Sequence, residues 1–407
     1  MTTLLTDRGE VARDARPFPD LARLLAPVDP VDFVREYWEK KPLHIHRDDP
    51  KYYSDLLTLD DMDRVLTLSD SRLARVRVVI AGKETPIAQL GRSAGQHALE
   101  ALYEQFRNGS TIVVNALESR WESLRRLSST LGAELTVRLQ MNIYLTPAGN
   151  QGFAPHYDMH DVFVAQVHGR KHWRLAGQPY ELPLHGQPYD KSRPEPEPDR
   201  EFDLCAGDVL YLPRGTVHWA TANESTSVHI TIGVHPVLYS QVLKEAVTAL
   251  FTEDVRFRRS LPVGFGTDEQ AQHELAGTFD ELICLLRERL SPKDLVTRSV
   301  SRGTSIGLPN LRHHLTDLDL LDEIDLGTRV RRRPDLRFAL TIEDGVAGLD
   351  FHGKTIRLPA DVAEELRYVA SGAPDGFTGI SIPGDLDDDG RLVLITTLVR
   401  EGFLTRA

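Results

Sequence analysis

From about residue 135 to residue 234, apolar and polar residues alternate at the two-residue period of β-strands, and on either side the period becomes helical. The β-type block predicts short strands at Leu135–Leu145, Val162–Val167, His172–Leu175, Val209–Leu212 and Ser227–Val234, broken by Gly and Pro turns. That is the signature of a β-barrel or sandwich. Before it, Leu21, Leu24 and Leu25 form one helical face, and Phe33, Val34, Tyr37 and Trp38 form another. Asp32 is expected near the start of that second helix and Pro42 at its end. Residues 56–68, 96–107 and 118–132 read as helices. Residues 75–80 read as a strand with Val76, Val78 and Ile80 on one face, and Thr111–Val114 as another strand after the Asn108-Gly109 turn. The Pro/Glu alternation of 194–198 predicts an extended surface loop. Helical periodicity returns at Tyr239–Thr252 and Asp268–Leu290. The last hundred residues combine strand-like Phe338–Ile342 and Leu349–Phe351 with helices at Pro359–Ser371 and Leu392–Glu401, a pattern that fits a small winged-helix-like module.

Composition narrows the class. With 407 residues the chain can hold one large domain and one or two smaller ones, and its net charge of −12 (48 basic against 60 acidic residues) argues against generic phosphate-backbone binding. Cys205 and Cys284 are the only cysteines. They make no disulfide framework and point to a reducing compartment. Residues 1–20 read as polar and loosely ordered, with Asp7, Glu10 and Asp14 where a signal peptide needs an apolar core. No apolar run reaches membrane-span length, so a cytoplasmic protein without membrane association is expected.

Candidate chemistry centres on Pro155-His156-Tyr157-Asp158. Residues i and i+2 of an extended strand share a face, so His156 and Asp158 can aim inward while Tyr157 points away. A bare His-x-Asp occurs by chance in many chains. Here an apolar strand follows it, and His218 comes just past Gly207-Asp208, the run VLYLP and the turn Arg214-Gly215. Two histidines and one carboxylate leave coordination positions open, the donor set of non-haem iron(II) and oxygen chemistry.

The segments MNIYLTP, PHYDMHDVFVAQVHGRKHW, GDVLYLPRGTVHWA and SVHITIGVHP resemble the JmjC-type cupins, and within them the ribosomal oxygenases. FVREYWEKKPL and RFRRSLPVGF extend the likeness through most of the chain. The resemblance implies a mainly β core, a double-stranded β-helix of JmjC/cupin type, with N-terminal helices (residues 1–238). It also implies a helical dimerisation segment (239–302) and a C-terminal winged-helix-like module (303–407). His156, Asp158 and His218 then fall on the family's Fe(II) triad, and Lys171 on the basic residue that grips the distal carboxylate of the cosubstrate 2-oxoglutarate. Asn142 and Tyr144 fall on a strand lining the same pocket, and Thr231 and His229 are further pocket candidates. The physical need is plain, because a dicarboxylate in an apolar barrel must be paired against its desolvation cost. Met159-His160 departs from the more acidic sequence of the nucleolar members, which leaves their substrate open for this chain. The remaining histidines read as strand-end, loop or core residues, and Cys205 as a buried apolar thiol.

The implied activity is an Fe(II)- and 2-oxoglutarate-dependent oxygenase that uses O2 to hydroxylate a protein or peptide side chain, foremost an arginine or histidine of a ribosomal protein, in a homodimer. The competing readings are a hydroxylase tailoring peptides in natural-product assembly and a non-catalytic metal-binding cupin sensor with a winged-helix output. Lysine demethylation is chemically adjacent to the first. The one dense basic run, RVRRRPDLR (329–337), reads as a solvated linker. The acidic module beyond it, with Asp385, Asp387, Asp388, Asp389 and Glu401, points to structure or protein contact instead of nucleic acid.

Overall fold

The computed structural model describes residues 20–68, 75–80, 82–86, 97–307, 309–372 and 375–407. The loosely ordered N-terminus expected from the sequence lies outside them, except for Asp20, whose carboxylate caps the first helix. In chain order the first elements are α1 (Leu21–Leu25), α2 (Pro30–Glu36), β1 (Leu43–Ile45), α3 (Leu59–Leu68), β2 (Val76–Ile80), β3 (Lys83–Pro86), α4 (Ala98–Arg107), β4 (Thr111–Val114) and α5 (Glu122–Leu135). The β block follows as β5 (Arg138–Thr146), β6 (Asn150–Gln151), β7 (Asp161–His168), β8 (Arg170–Ala176), β9 (Arg200–Cys205), β10 (Val209–Leu212), β11 (Val217–Ala222) and β12 (Ser227–His235). Then come α6 (Tyr239–Glu253), α7 (Glu269–Arg289), α8 (Pro292–Ser305), α9 (His314–Asp319), β13 (Val330–Arg332), β14 (Phe338–Glu343), β15 (Val346–Phe351), β16 (Lys354–Pro359), α10 (Ala363–Ser371), α11 (Asp388–Arg400) and β17 (Leu404–Arg406).

An antiparallel eight-stranded sheet, ordered β1-β10-β7-β12-β5-β4-β2-β3, faces a four-stranded sheet ordered β6-β11-β8-β9. This is a cupin barrel of two sheets with helices outside. The strand alternation assigns the faces. Leu139, Met141, Ile143 and Leu145 of β5, Phe163 and Ala165 of β7, and Val228, Ile230, Ile232 and Val234 of β12 join one large core with Leu24, Leu25, Phe33, Leu102 and Leu127 of the helices. The opposite residues of β7 and β10, Val162, Val164, Leu210 and Leu212, meet Trp173, Leu175, Leu204 and Ala220 of the smaller sheet. Burying both faces of the central strands ties the helical layer to the barrel.

Several local expectations shift. The cap of α2 is Asp29, which accepts the Val31 N–H with Pro30 at the first helical position, and Asp32 sits in the first turn. The helix closes at Glu36, well short of Pro42. Ile80 is exposed and Val79 is buried, because Ile80 stands at the edge hairpin opposite Lys83. Cys205 is only half-buried, at the end of β9. Strands β9 and β11, not expected from the sequence, are short and are secured by their shared partner β8.

Beyond α8, β14–β15–β16 form a meander, and β13 pairs with β17 around a separate apolar core that includes Val330, Leu349, Phe351, Leu366, Ile395 and Phe403. The basic run 329–337 is not a solvated linker. Arg333 is buried, bonding Asp317 at 2.6 Å and the Arg312 carbonyl at 2.6 Å. Arg332 donates to the Ala370 carbonyl, and Arg337 donates to the carbonyls of Val137 and Ile306. Guanidiniums are spent here on tying peptide carbonyls together.

Candidate active site

His156 and His218 sit side by side because their backbones exchange two hydrogen bonds, His156 N–H to the His218 carbonyl at 3.3 Å and the reverse at 2.8 Å. His156 and Asp158 lie in the extended connection before β7 and not in a regular strand, and His218 is the second residue of β11. The side-chain ligand atoms of His156, Asp158 and His218 all lie within 4.8 Å of one another. His218 Nε2 is 3.8 Å from Asp158 Oδ2, and the two imidazole centroids are 4.5 Å apart. Tyr157 points away, as expected, into a small cluster with Val217 and Trp219.

The tautomers are set by the backbone. His156 Nδ1 donates to the Ala154 carbonyl at 2.8 Å and His218 Nδ1 to the Thr216 carbonyl at 2.9 Å. Both Nε2 atoms are thereby left as acceptors, the form a metal ligand requires. Burial, and after it the neighbouring His156, push His218 down to about 4, so its ring is neutral at ordinary pH. Burial opposes ionisation of Asp158. His160, His156, His218 and His235 around it nevertheless hold the carboxyl below the usual carboxylate range. His160 itself turns aside, with Nδ1 on the Asp161 carbonyl and its ring against His235.

A network that the sequence did not flag holds the turn before His218. Buried Asp161 accepts Arg214 N–H at 2.9 Å and Arg214 Nη1 at 3.0 Å. The same Nη1 reaches Glu39 at 2.5 Å. Gly215 N–H then bonds the Asp158 carbonyl at 3.0 Å, so one turn fixes both the carboxylate and the distal histidine. Asp161 follows the motif closely, but its partner lies 53 residues away, and no local pattern marks the pair.

Lys171 is the second residue of β8, across the Gly169 turn from β7 and not at the end of the β7 run. Its ammonium is buried and donates to Thr146 Oγ1 at 3.1 Å. Among the described residues no carboxylate pairs with it, and burial pushes it down to about 7. Thr146 also accepts from Thr111 at 3.1 Å, so its own O–H stays available to a ligand. Thr146 shares a face of β5 with Asn142 and Tyr144, and that i+2 relation was the signal for it. Tyr144 stacks on His229 at 4.9 Å. Asn142 Oδ1 is committed to Ala116 N–H at 3.0 Å and Gln140 Nε2 at 3.3 Å, holding Ala116 at φ 49°, so only its NH2 end remains for a ligand. Thr231 pairs with Asn142 across the strands and is buried. His229 Nδ1 and Trp173 Nε1 are buried without hydrogen-bond partners among the described residues, and both rings lie near His218 or its neighbours. A buried cation, a hydroxyl and two unpartnered ring nitrogens beside a triad of metal-type donors suit an oxygen-rich anion held next to a metal ion.

Residues 115–242 match the family model described as JmjC domain. Ribosomal oxygenase 1 of Gallus gallus is 30% identical over 270 residues, covering 64% of this chain and 45% of that protein. Ribosomal oxygenase 2 of Mus musculus is 32% identical over 251 residues, covering 59% and 53%. The bifunctional lysine-specific demethylase and histidyl-hydroxylase NO66 of Drosophila mojavensis is 30% identical over 249 residues, covering 59% and 28%. The chain spans about half the length, or less, of these curated relatives. Among solved structures, the Escherichia coli ribosomal oxygenase YcfD aligns with a TM-score of 0.52 at 18% identity, over 93% of this chain and 98% of that one. A complex of the same protein with cobalt and 2-oxoglutarate aligns at 0.51 and 18% identity, over the same shares. At such identity the likeness speaks to the fold. Family model, relatives and barrel agree: residues 115–242 resemble a JmjC domain, and the chain is similar to the ribosomal oxygenases.

Proposed function

We propose that this protein is an Fe(II)- and 2-oxoglutarate-dependent oxygenase that hydroxylates a side chain of a protein or peptide, with arginine or histidine of a ribosomal protein as the first candidates. One observation carries the reading. A triangle of His156, Asp158 and His218, with both Nε2 atoms free to bind a metal, stands in the same barrel as a buried lysine that has no anion among the described residues. A metal sensor has no use for that lysine, which weighs against the non-catalytic alternative.

His156, Asp158 and His218 would hold the iron, and Lys171 with Thr146 would bind the distal carboxylate of 2-oxoglutarate. Tyr144 and Thr231, and the NH2 of Asn142, line the same pocket. Iron and 2-oxoglutarate together supply the oxidising power to insert one atom of O2 into a C–H bond, with succinate and CO2 as co-products. The chain's part is to fix the donors, to keep water out with apolar residues such as Val162, Val164 and Leu212, and to admit the substrate past His156, the less buried of the two histidines.

The division at residue 238 is supported by the change from β12 to α6, and a further unit by the separate apolar core beyond α8, a helix that runs to Ser305 and so past the expected bound at 302. A homodimer is supported by α7, where only Ala271 and Leu285 of 21 residues are buried while Phe279 and Ile283 face outward. The strands and helices of 330–406 suit a winged-helix-like module for protein contact. No helix among the described residues is long and apolar enough to cross a membrane, and Cys284 is an exposed free thiol, which suits a reducing cytoplasm.

The test is incubation of the iron-loaded protein with ribosomes, 2-oxoglutarate and O2, followed by peptide mass spectrometry. A peptide heavier by one oxygen atom, formed together with succinate, is expected. No oxygenated peptide and no 2-oxoglutarate binding would refute the assignment.

A further inference from the structure

A second group of metal-type donors lies away from the triad. His44 and His46 on and just after β1, and Asp208 ahead of β10, bring three ligand atoms within 4.8 Å of one another. The strand period puts both imidazoles on one side of β1, while Leu43 and Ile45 take the other side into the core. Asp208 is wholly buried and held rigidly. Its Oδ1 accepts Arg47 N–H at 2.7 Å, and its Oδ2 accepts Cys205 N–H at 2.8 Å. Among the described residues no lysine or arginine pairs with this carboxylate, and only the two imidazoles approach it as possible cations.

The spacing is informative. Asp208 Oδ2 lies 3.4 Å from His44 Nε2 and 3.2 Å from His46 Nδ1, which is also 3.1 Å from Oδ1. An imidazole N–H donating to a carboxylate lies at about 2.7–3.2 Å, so His46 is at the outer edge of that range, equidistant from both oxygens within 0.1 Å, and His44 stands beyond it. In a tetrahedral zinc site, with bonds of roughly 2.0–2.2 Å, neighbouring ligand atoms stand about 3.3 Å apart. His44 is fixed in place by stacking on Phe202 at 4.3 Å, whereas His46 is exposed and free to adjust its rotamer. Three donors with an open outer side suit a borderline-soft divalent ion such as Zn(II), completed by water.

We infer that His44, His46 and Asp208 form a second divalent metal site that takes Zn(II) and clips the edge strand β1 onto the turn between β9 and β10. The site is structural. It does not rest on the oxygenase reading, because none of its residues belongs to the triad or the Lys171 pocket.

The test uses the full chain carrying Asp158→Ala and His218→Ala, which removes the first site, with Zn(II) binding measured by equilibrium dialysis and metal analysis. One Zn(II) per chain is expected, falling to none when His46→Ala is added, and Zn(II) should raise the melting midpoint only while His46 is present. In the otherwise unaltered chain, His46→Ala should lower the Zn(II) content from two to one without changing 2-oxoglutarate turnover by the iron-loaded protein. This second arm decides the matter if the triad variant fails to fold. Absence of Zn(II) binding in the triad variant, or an unchanged Zn(II) content in His46→Ala, would leave only an imidazole–carboxylate hydrogen bond and overturn the proposal.

Discussion

Binding of 2-oxoglutarate should draw a proton onto Lys171. Among the described residues its ammonium has a single polar contact, Thr146 Oγ1 at 3.1 Å, and burial lowers it from 10.5 to about 7. At pH 8, one unit above that value, only about one chain in ten carries the charge before ligand arrives. A carboxylate against Nζ restores the ammonium, so binding at pH 8 takes up about 0.9 proton and costs about 1.4 kcal/mol relative to pH 6, roughly a tenfold loss of affinity. The stability effect without ligand has a definite sign. The unfolded chain binds more protons at this lysine between about pH 7 and 10.5, so its contribution to stability rises with pH across that window and is flat below it. The assay is calorimetric titration of 2-oxoglutarate into the cobalt(II)-loaded protein at pH 8, in two buffers of different ionisation enthalpy. Lys171→Met should bind without the buffer dependence and, having lost the cation of a buried pair, more weakly by on the order of a hundredfold or more. Equal heats in both buffers for the unaltered protein would show that Lys171 is already charged or takes no part in binding.

Three further outcomes follow from the geometry. His156→Ala, Asp158→Ala and His218→Ala should each abolish succinate formation while the circular-dichroism spectrum is kept, and full activity in Asp158→Ala would remove the triad assignment. Gly215 has φ +88°, and an added Cβ would lie 2.2 Å from the Tyr180 carbonyl oxygen. Gly215→Ala should therefore cost on the order of 1–3 kcal/mol in denaturant unfolding and loosen metal binding through its link to the Asp158 carbonyl. Ile283→Glu on the outer face of α7 should convert a dimer into a monomer in light scattering, and an unaltered elution with an intact fold would move the interface elsewhere.

How much of this was legible depends on what each element needs. Strands β5, β7, β10 and β12 are buried on both faces or strictly alternating, so their apolar residues alone announce them. Strands β9 and β11 are held by pairing with β8, and their alternation, in REFDLC and VHWATA, runs over only a few residues and was not read as strand. The His156-x-Asp158 spacing was readable because it is local. Partners such as Arg214 for Asp161, or Thr146 for Lys171, are created only when the barrel closes. The same limit misjudged the arginines of 329–337. A basic run looks solvated until the chain delivers buried carbonyls and Asp317 to it.

The polar lining of the pocket is where local and global demands separate. Along β5 the outward residues Leu139, Met141, Ile143 and Leu145 are fully apolar, while the inward residues Gln140, Asn142, Tyr144 and Thr146 are all polar. A barrel built for stability alone would fill that inward face with Val and Leu, as β7 and β10 do at Val162, Val164, Leu210 and Leu212. Keeping it polar leaves His229 Nδ1 and Trp173 Nε1 without partners and Lys171 without an anion among the described residues, each a cost of order 1–3 kcal/mol for a buried polar group. Those costs converge on one half of one barrel, beside the His156–Asp158–His218 triangle. A bound dicarboxylate can relieve the charge of Lys171 and occupy the same polar cavity. On that reasoning the ligand should stabilise the fold more strongly than its affinity for the metal alone would give, and the excess should disappear in Lys171→Met.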